Sequence, residues 1–137
     1  MKEFSVGAII FHQHKVLLIH QKNGDHIGFP KGHVEPHESI EETAMREVKE
    51  EVGLDVELKQ ITFDIYYEPK PNIHKKVTYF LAHAKESMTT IQIAEIHRAF
   101  WVTPNEAMDV LTYSNDKKAL TYMIAQFTED AHDYRNR

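Results

Sequence analysis

GHVEPHESIEETAMREVKEEVGL, running from Gly32 to Leu54, is the stretch on which the reading of this chain turns. Ser39 followed three residues later by Glu42 is a capping box, which opens a helix at Glu38 or Ser39. Ile40, Ala44, Val48 and Val52 recur at helical spacing and form the stripe that faces a core. Gly53 sits where a C′ residue closes the helix. Glu47, Glu50 and Glu51 stand at i, i+3 and i+4, so a helix presents them from one patch beside that stripe. Local physics opposes the arrangement. Like charges at these spacings repel by about 0.2–0.5 kcal/mol per pair. Acids in a last turn lose a further ~0.3–1 kcal/mol each to the helix dipole. Such a conflict marks either a solvated acidic face, partly neutralised by Arg46 and Lys49, or a site. As a site, three hard oxygen ligands on a pinned helix suit Mg²⁺, or Mn²⁺.

The surrounding spacing decides between the two. Gly32, five residues, Glu38, seven residues, then Arg46-Glu47-Val48-Lys49-Glu50-Glu51-Val52-Gly53-Leu54 meets G-x5-E-x7-R-E-U-x-E-E-x-G-U at every specified position, U being aliphatic. At ordinary residue frequencies a chance match is below about one in a million. The stretch resembles the Nudix box. Phe29-Pro30-Lys31-Gly32-His33-Val34-Glu35-Pro36 is similar to the lead-in of the asymmetrical diadenosine tetraphosphate hydrolases, a subfamily of that family. Val77-Thr78-Tyr79-Phe80-Leu81-Ala82 and the segment Glu95 to Trp101 are similar to further parts of it. His37 departs from the pattern, standing where those proteins have glycine, so the turn entering the helix is expected to differ.

At 137 residues with 42% hydrophobic and 27% charged content, the chain has the size and composition of one globular domain, 1–137. A net charge of −5 without a Lys/Arg-rich run gives no field for a nucleic-acid backbone. The absence of cysteine excludes disulfides and thiolate metal sites. The start MKEFSVGAII reads as a strand and not as a signal peptide, and no apolar run approaches the ~18–20 residues of a membrane helix. A soluble, cytoplasmic protein is the expectation, with no nucleic-acid or membrane partner. Oligomeric state is not legible. Of the ten histidines, His33, His37, His74 and His97 lie near the motif segments. The others, His20 among them, are scattered without metal-ligand spacing and read as ordinary surface or strand residues.

Phe4 to Phe11 and Val16 to Gln21 read as a β-hairpin around the polar turn His12 to Lys15. Asn23-Gly24-Asp25 is a turn, and Pro30 bars a central strand where it stands. Val56 to Tyr67, His74 to Ala84 and Ile96 to Val102 read as strands, with a loop over Glu68 to Asn72. Thr103 caps a short helix starting at Pro104. Asp116 to Ala131 is an amphipathic helix with Leu120, Met123, Ile124 and Phe127 inward, and the tail Asp133 to Arg137 is expected to fray. The class is α/β (α+β), and the resemblance implies the Nudix α/β/α sandwich with a mixed sheet.

The resemblance also implies a chemistry: a divalent ion held by Glu47, Glu50 and Glu51, with the Gly32 carbonyl and Glu95 as further ligands, promotes attack of water on a phosphorus of a polyphosphate. Glu47 or Glu95 takes the proton, Glu50 completes the catalytic set, and Arg46 fixes a carboxylate by a bidentate contact. Glu38 is either a structural acid or close to the metal. Lys31, His33, Lys75 and Lys76 are candidates to hold phosphates, and Tyr79 and Phe100 to sandwich a base, although strand lysines and core aromatics are equally good readings of these residues. Tyr66 and Tyr67 alternate faces, so only one can line a cleft. The implied substrate is a small nucleotide, first diadenosine tetraphosphate giving ATP and AMP. The alternative is a nucleoside triphosphate, oxidised ones included, losing pyrophosphate. An RNA 5′-end activity lacks a basic surface, and a non-catalytic nucleotide sensor would be expected to have lost a box carboxylate.

Overall fold

The computed structural model describes the backbone of residues 1–135 and the side chains of residues 1–126. In chain order its elements are β1 (Lys2–His12), β2 (Lys15–Gln21), β3 (Ile27–Gly28), β4 (Lys31–His33), α1 (Ile40–Val52), β5 (Val56–Lys70), β6 (Ile73–Ala84), β7 (Ile96–Val102), α2 (Pro104–Val110) and α3 (Ser114–Arg135). β1 runs parallel to β6 from Lys2↔His74 to Phe11↔His83, and antiparallel β5 flanks β6. β1 and β2 meet only at Phe11↔Val16 and His12↔Lys15, beside the hairpin turn. Beyond that turn they splay. β4 takes the free edge of β1, while β3 and β7 flank β2. The mixed sheet is thus forked, and the fork opens where Lys31 and Gly32 pass.

Alternation along the strands builds a core on each face. On one side Ile9, Leu18, Val77, Tyr79 and Leu81 pack against Ala107 and Leu111 of α2 and Ala119, Leu120 and Met123 of α3. On the other, Ala8, Ile10, Leu17 and Ile19 meet Val48 and Val52 of α1, and Val6 and Phe80 meet Ala44. The result is the expected sandwich. Among the described residues no helix is long and apolar enough to cross a membrane.

The capping box at Ser39 and Glu42 is formed, and Gly53 closes α1 at φ +73°. His37 adopts φ +67°, the left-handed conformation that a glycine supplies without strain. β5 and β6 extend further than expected, into a tight turn with Asn72 at φ +67°. Pro69 cannot donate to the ladder, and the register slips between Tyr67 and Lys70. α3 begins at Ser114 and continues past Ala131 through Arg135, so the expected end at Ala131 is corrected. The side chain of Phe127 and residues 136–137 lie outside the described residues.

Candidate active site

Arg46 organises the acidic face of α1. Its Nε donates to Glu38 Oε2 at 2.6 Å and its Nη2 to Glu38 Oε1 at 2.9 Å, a two-point grip. The same Nη2 reaches the His33 carbonyl at 3.0 Å, while Nη1 donates to Glu47 Oε1 at 2.8 Å and Glu50 Oε2 at 3.2 Å. Its hydrogen-bonding directions are thereby spent on protein groups, which makes it a positioning residue. Glu38 also accepts from the Thr43 hydroxyl at 2.6 Å and the Glu35 N–H at 3.1 Å. The Arg46 grip, then the Thr43 bond, hold its carboxyl down at about 2. Of the two readings of Glu38, its contacts are those of a structural acid.

Glu51 and Glu47 hold their charge at a cost. Glu51 is only 3% exposed and accepts from the Lys31 N–H at 3.0 Å and Gln21 Nε2 at 3.4 Å. Burial first, and then the charge of Glu47, push it up to about 8. Burial also raises Glu47, with Glu50 and Glu95 adding to the rise against the pull of Arg46. Glu95 comes from the turn before β7, where its carbonyl accepts the Lys22 N–H at 2.8 Å. Its charge is near enough to Glu47 to add to the rise of that carboxyl. Gly32 passes so close that a Cβ there would lie 2.1 Å from the Glu47 carboxyl. Buried Glu47 and Glu51, repelling each other beside the close-passing Gly32 backbone, form a site that a hard divalent cation would relax, and the donor set fits Mg²⁺ or Mn²⁺.

Beside the carboxylates, around Lys31, lies a cationic patch. Burial and the neighbouring Lys31 lower the pKa of Lys75. The same two causes lower His26, whose buried Nδ1 has no partner. The Lys75 ammonium stands 5.9 Å from the Tyr67 ring, and a pocket of about 590 Å³ opens there, bounded by Tyr66, Tyr67, His74, Lys75 and Lys76 with Glu3 and Glu68 at its edge. Lysines that repel each other next to a pocket are suited to an anion.

The chain segments singled out in the sequence are thus only partly assembled. Gly32, Lys31, Arg46, Glu47, Glu50, Glu51 and Glu95 converge. His33 stays at the rim, its Nδ1 3.3 Å from the Phe4 carbonyl. Three further candidates have these surroundings. Lys76 alternates with Lys75 along β6 and lies 3.7 Å from Asp64 and 5.4 Å from the Phe4 ring while still bordering the pocket, and Lys75 is the lysine that feels the charge of Lys31. Tyr79 is fully buried, donating to Asp116 Oδ1 at 2.9 Å with its ring against Phe29, and has no free face for a base. Phe100 packs into the core with Arg98 at 4.2 Å over its ring. Of the tyrosine pair, Tyr67 lies under the Lys75 ammonium and Tyr66 is 65% exposed, yet both border the pocket, where only one was expected. Gln21, His26 and Asp116 had not been singled out. Gln21 alone left a local signal, as a polar residue continuing the buried alternation of Leu17 and Ile19.

The NUDIX domain family model matches residues 1–123. The asymmetrical bis(5′-nucleosyl)-tetraphosphatase of Mus musculus is 32% identical over 131 residues, covering 83% of this chain and 88% of that protein. The Sus scrofa protein of the same name is 32% identical over 114 residues, covering 76% of this chain and 74% of its own. Among solved structures, an Ap4A hydrolase of C. elegans in a binary complex superposes with a TM-score of 0.83 at 23% identity, covering 93% of this chain and 98% of that one.

Proposed function

As this chain belongs to the Nudix family of hydrolases, we propose that it cleaves diadenosine tetraphosphate asymmetrically, to ATP and AMP, with a divalent cation, Mg²⁺ or Mn²⁺. The observation that carries this reading is the adjacency of the carboxylate cluster on α1 to the Lys31–Lys75 patch, the Lys31 N–H donating to Glu51 at 3.0 Å. One side suits a cation and the other a polyphosphate. The names of the mouse and pig relatives support the dinucleotide as substrate.

Glu47, Glu50, Glu51, the Gly32 carbonyl and Glu95 would hold the ion. It would supply charge neutralisation on the phosphate oxygens and a more acidic water. The chain's own groups do the rest. Arg46 keeps Glu47 and Glu50 in place, and Glu38 keeps Arg46 in place. Glu47, raised by burial, or Glu95 near it accepts the proton of the attacking water at a carboxylate oxygen. Lys31 and Lys75 orient the phosphate chain and offset its charge, and Tyr67 offers a ring face to a base at the mouth of the pocket.

The test is product analysis with Mg²⁺ across diadenosine tetraphosphate, ATP, dGTP and 8-oxo-dGTP at matched concentrations. ATP plus AMP from the dinucleotide, with slow turnover of the mononucleotides, is the expected result. Preferred release of pyrophosphate from a triphosphate would refute the substrate and move the activity to triphosphate hydrolysis.

A further inference from the structure

A second cluster of ligand-type side chains stands outside the carboxylate site. His20 at the end of β2, Asp25 in the turn that follows and His97 near the start of β7 each place a donor atom within 4.8 Å of the others. The sequence separates His97 widely from the other two; the pairing of β2 with β7 unites them. Where these strands meet, the register slips between His20 and Gln21. A bulge of this kind re-aims side chains, and here the His97 ring lies against the His20 ring, centroids 4.8 Å apart at 49°. Asp25, held at φ +47°, returns its carboxylate to His20, whose Nε2 donates to Oδ1 at 2.6 Å. His97 and Asp25 are exposed, and the open side of the cluster faces solvent.

We infer that His20, Asp25 and His97 form a binding site for a single transition-metal ion of the zinc class, separate from the carboxylate site. Two imidazoles and one carboxylate select Zn²⁺, Co²⁺ or Ni²⁺ over Mg²⁺, whereas the all-oxygen set on α1 prefers the hard ions. The two sites therefore divide the metals between them. Three ligands leave a further position for water. Zinc takes the place of the hydrogen between His20 Nε2 and Asp25 Oδ1, a neutral His20 ring carrying its proton on Nδ1 instead, and small rotations of exposed side chains bring the donors to the usual ~2.0–2.2 Å. Asp25 follows Lys22 in the turn, and the Lys22 N–H holds the Glu95 carbonyl at 2.8 Å. A bound ion thus staples the segment carrying Glu95 to the end of β2.

Zinc stoichiometry is measured by equilibrium dialysis against limiting Zn²⁺ in millimolar Mg²⁺, without nucleotide, on the full chain. The wild type and Glu50→Gln are expected to retain one zinc. His97→Ala and Asp25→Asn, both at exposed positions, should each lose at least tenfold in affinity. Imidazole nitrogen resonances of His20 and His97 should shift on zinc addition while those of His12 stay in place. Equal zinc binding by wild type, His97→Ala and Asp25→Asn would overturn the inference. So would loss of all zinc in Glu50→Gln, which would place the ion on α1. Neither readout involves turnover, so the outcome is independent of the substrate proposed above.

Discussion

Replacing Glu51 by glutamine is expected to stabilise the metal-free protein while abolishing most of its activity. Glu51 is 3% exposed, and its carboxyl is pushed from 4.5 up to about 8. The folded state therefore holds this proton more tightly than the unfolded chain, and stability drains away as pH rises from about 4.5 to about 8. At about 1.4 kcal/mol for each tenfold step in proton affinity, the ceiling on that cost is about 5 kcal/mol. Glu47 contributes to the rise and relaxes when Glu51 is neutral, so roughly half that figure, about 2–3 kcal/mol, is the expected gain. Glutamine fits the same space and still accepts the Lys31 N–H. At roughly 3–4 °C per kcal/mol for a chain of this size, Tm should rise by about 6–12 °C at pH 9. Below pH 4.5 the difference should vanish. Mg²⁺ should narrow it by stabilising only the wild type. Scanning calorimetry of both proteins in EDTA at pH 4, 7 and 9 measures this directly. A Glu51→Gln variant that is less stable at pH 9, or shifted equally at every pH, would refute the claim that uncompensated buried charge is stored at the site.

Four further outcomes follow from the same geometry. Glu50→Gln, at a half-exposed side chain, should cut kcat by orders of magnitude without lowering Tm, and unchanged turnover would remove α1 from the metal site. Lys75→Met should lower kcat/KM at least tenfold while Lys76→Met changes it less than threefold, an ordering that steady-state kinetics checks and that reverses if Lys76 is the phosphate ligand. His37→Gly should stabilise by about 0.5–1 kcal/mol in urea unfolding, since relief at φ +67° outweighs glycine's entropy in the unfolded chain; destabilisation would show that the side chain makes a compensating contact. Glu38, held down at about 2, contributes stability that is complete above pH 4.5 and lost as pH falls toward 2; Glu38→Gln should flatten acid unfolding over that window, and an unchanged profile would deny the Arg46 grip its role.

The sequence by itself determined the elements whose signals are local. The α1 cap, stripe and stop lie within one stretch of chain, and so do the β1–β2 turn and Thr103 before Pro104. Helical periodicity likewise determined that Glu47, Glu50 and Glu51 share a patch. Only the tertiary structure decided what each charge meets. Glu51 is buried because the Gln21 end of β2 and the Lys31 backbone close over it, contacts far from α1 in the chain. Lys75 and Lys76 are neighbours of equal charge that both border the pocket, and strand alternation sets one beside Lys31 and the Tyr67 ring and the other beside Asp64 and the Phe4 ring. Tyr79 is an aromatic on a strand either way; the arrival of Asp116 on α3 makes it core. His20 and His97 carry no spacing signal at all, because a strand pairing and its bulge bring them together. Periodicity places a side chain on a face of its own element, but burial, and with it pKa and affinity, depends on the element that packs against that face.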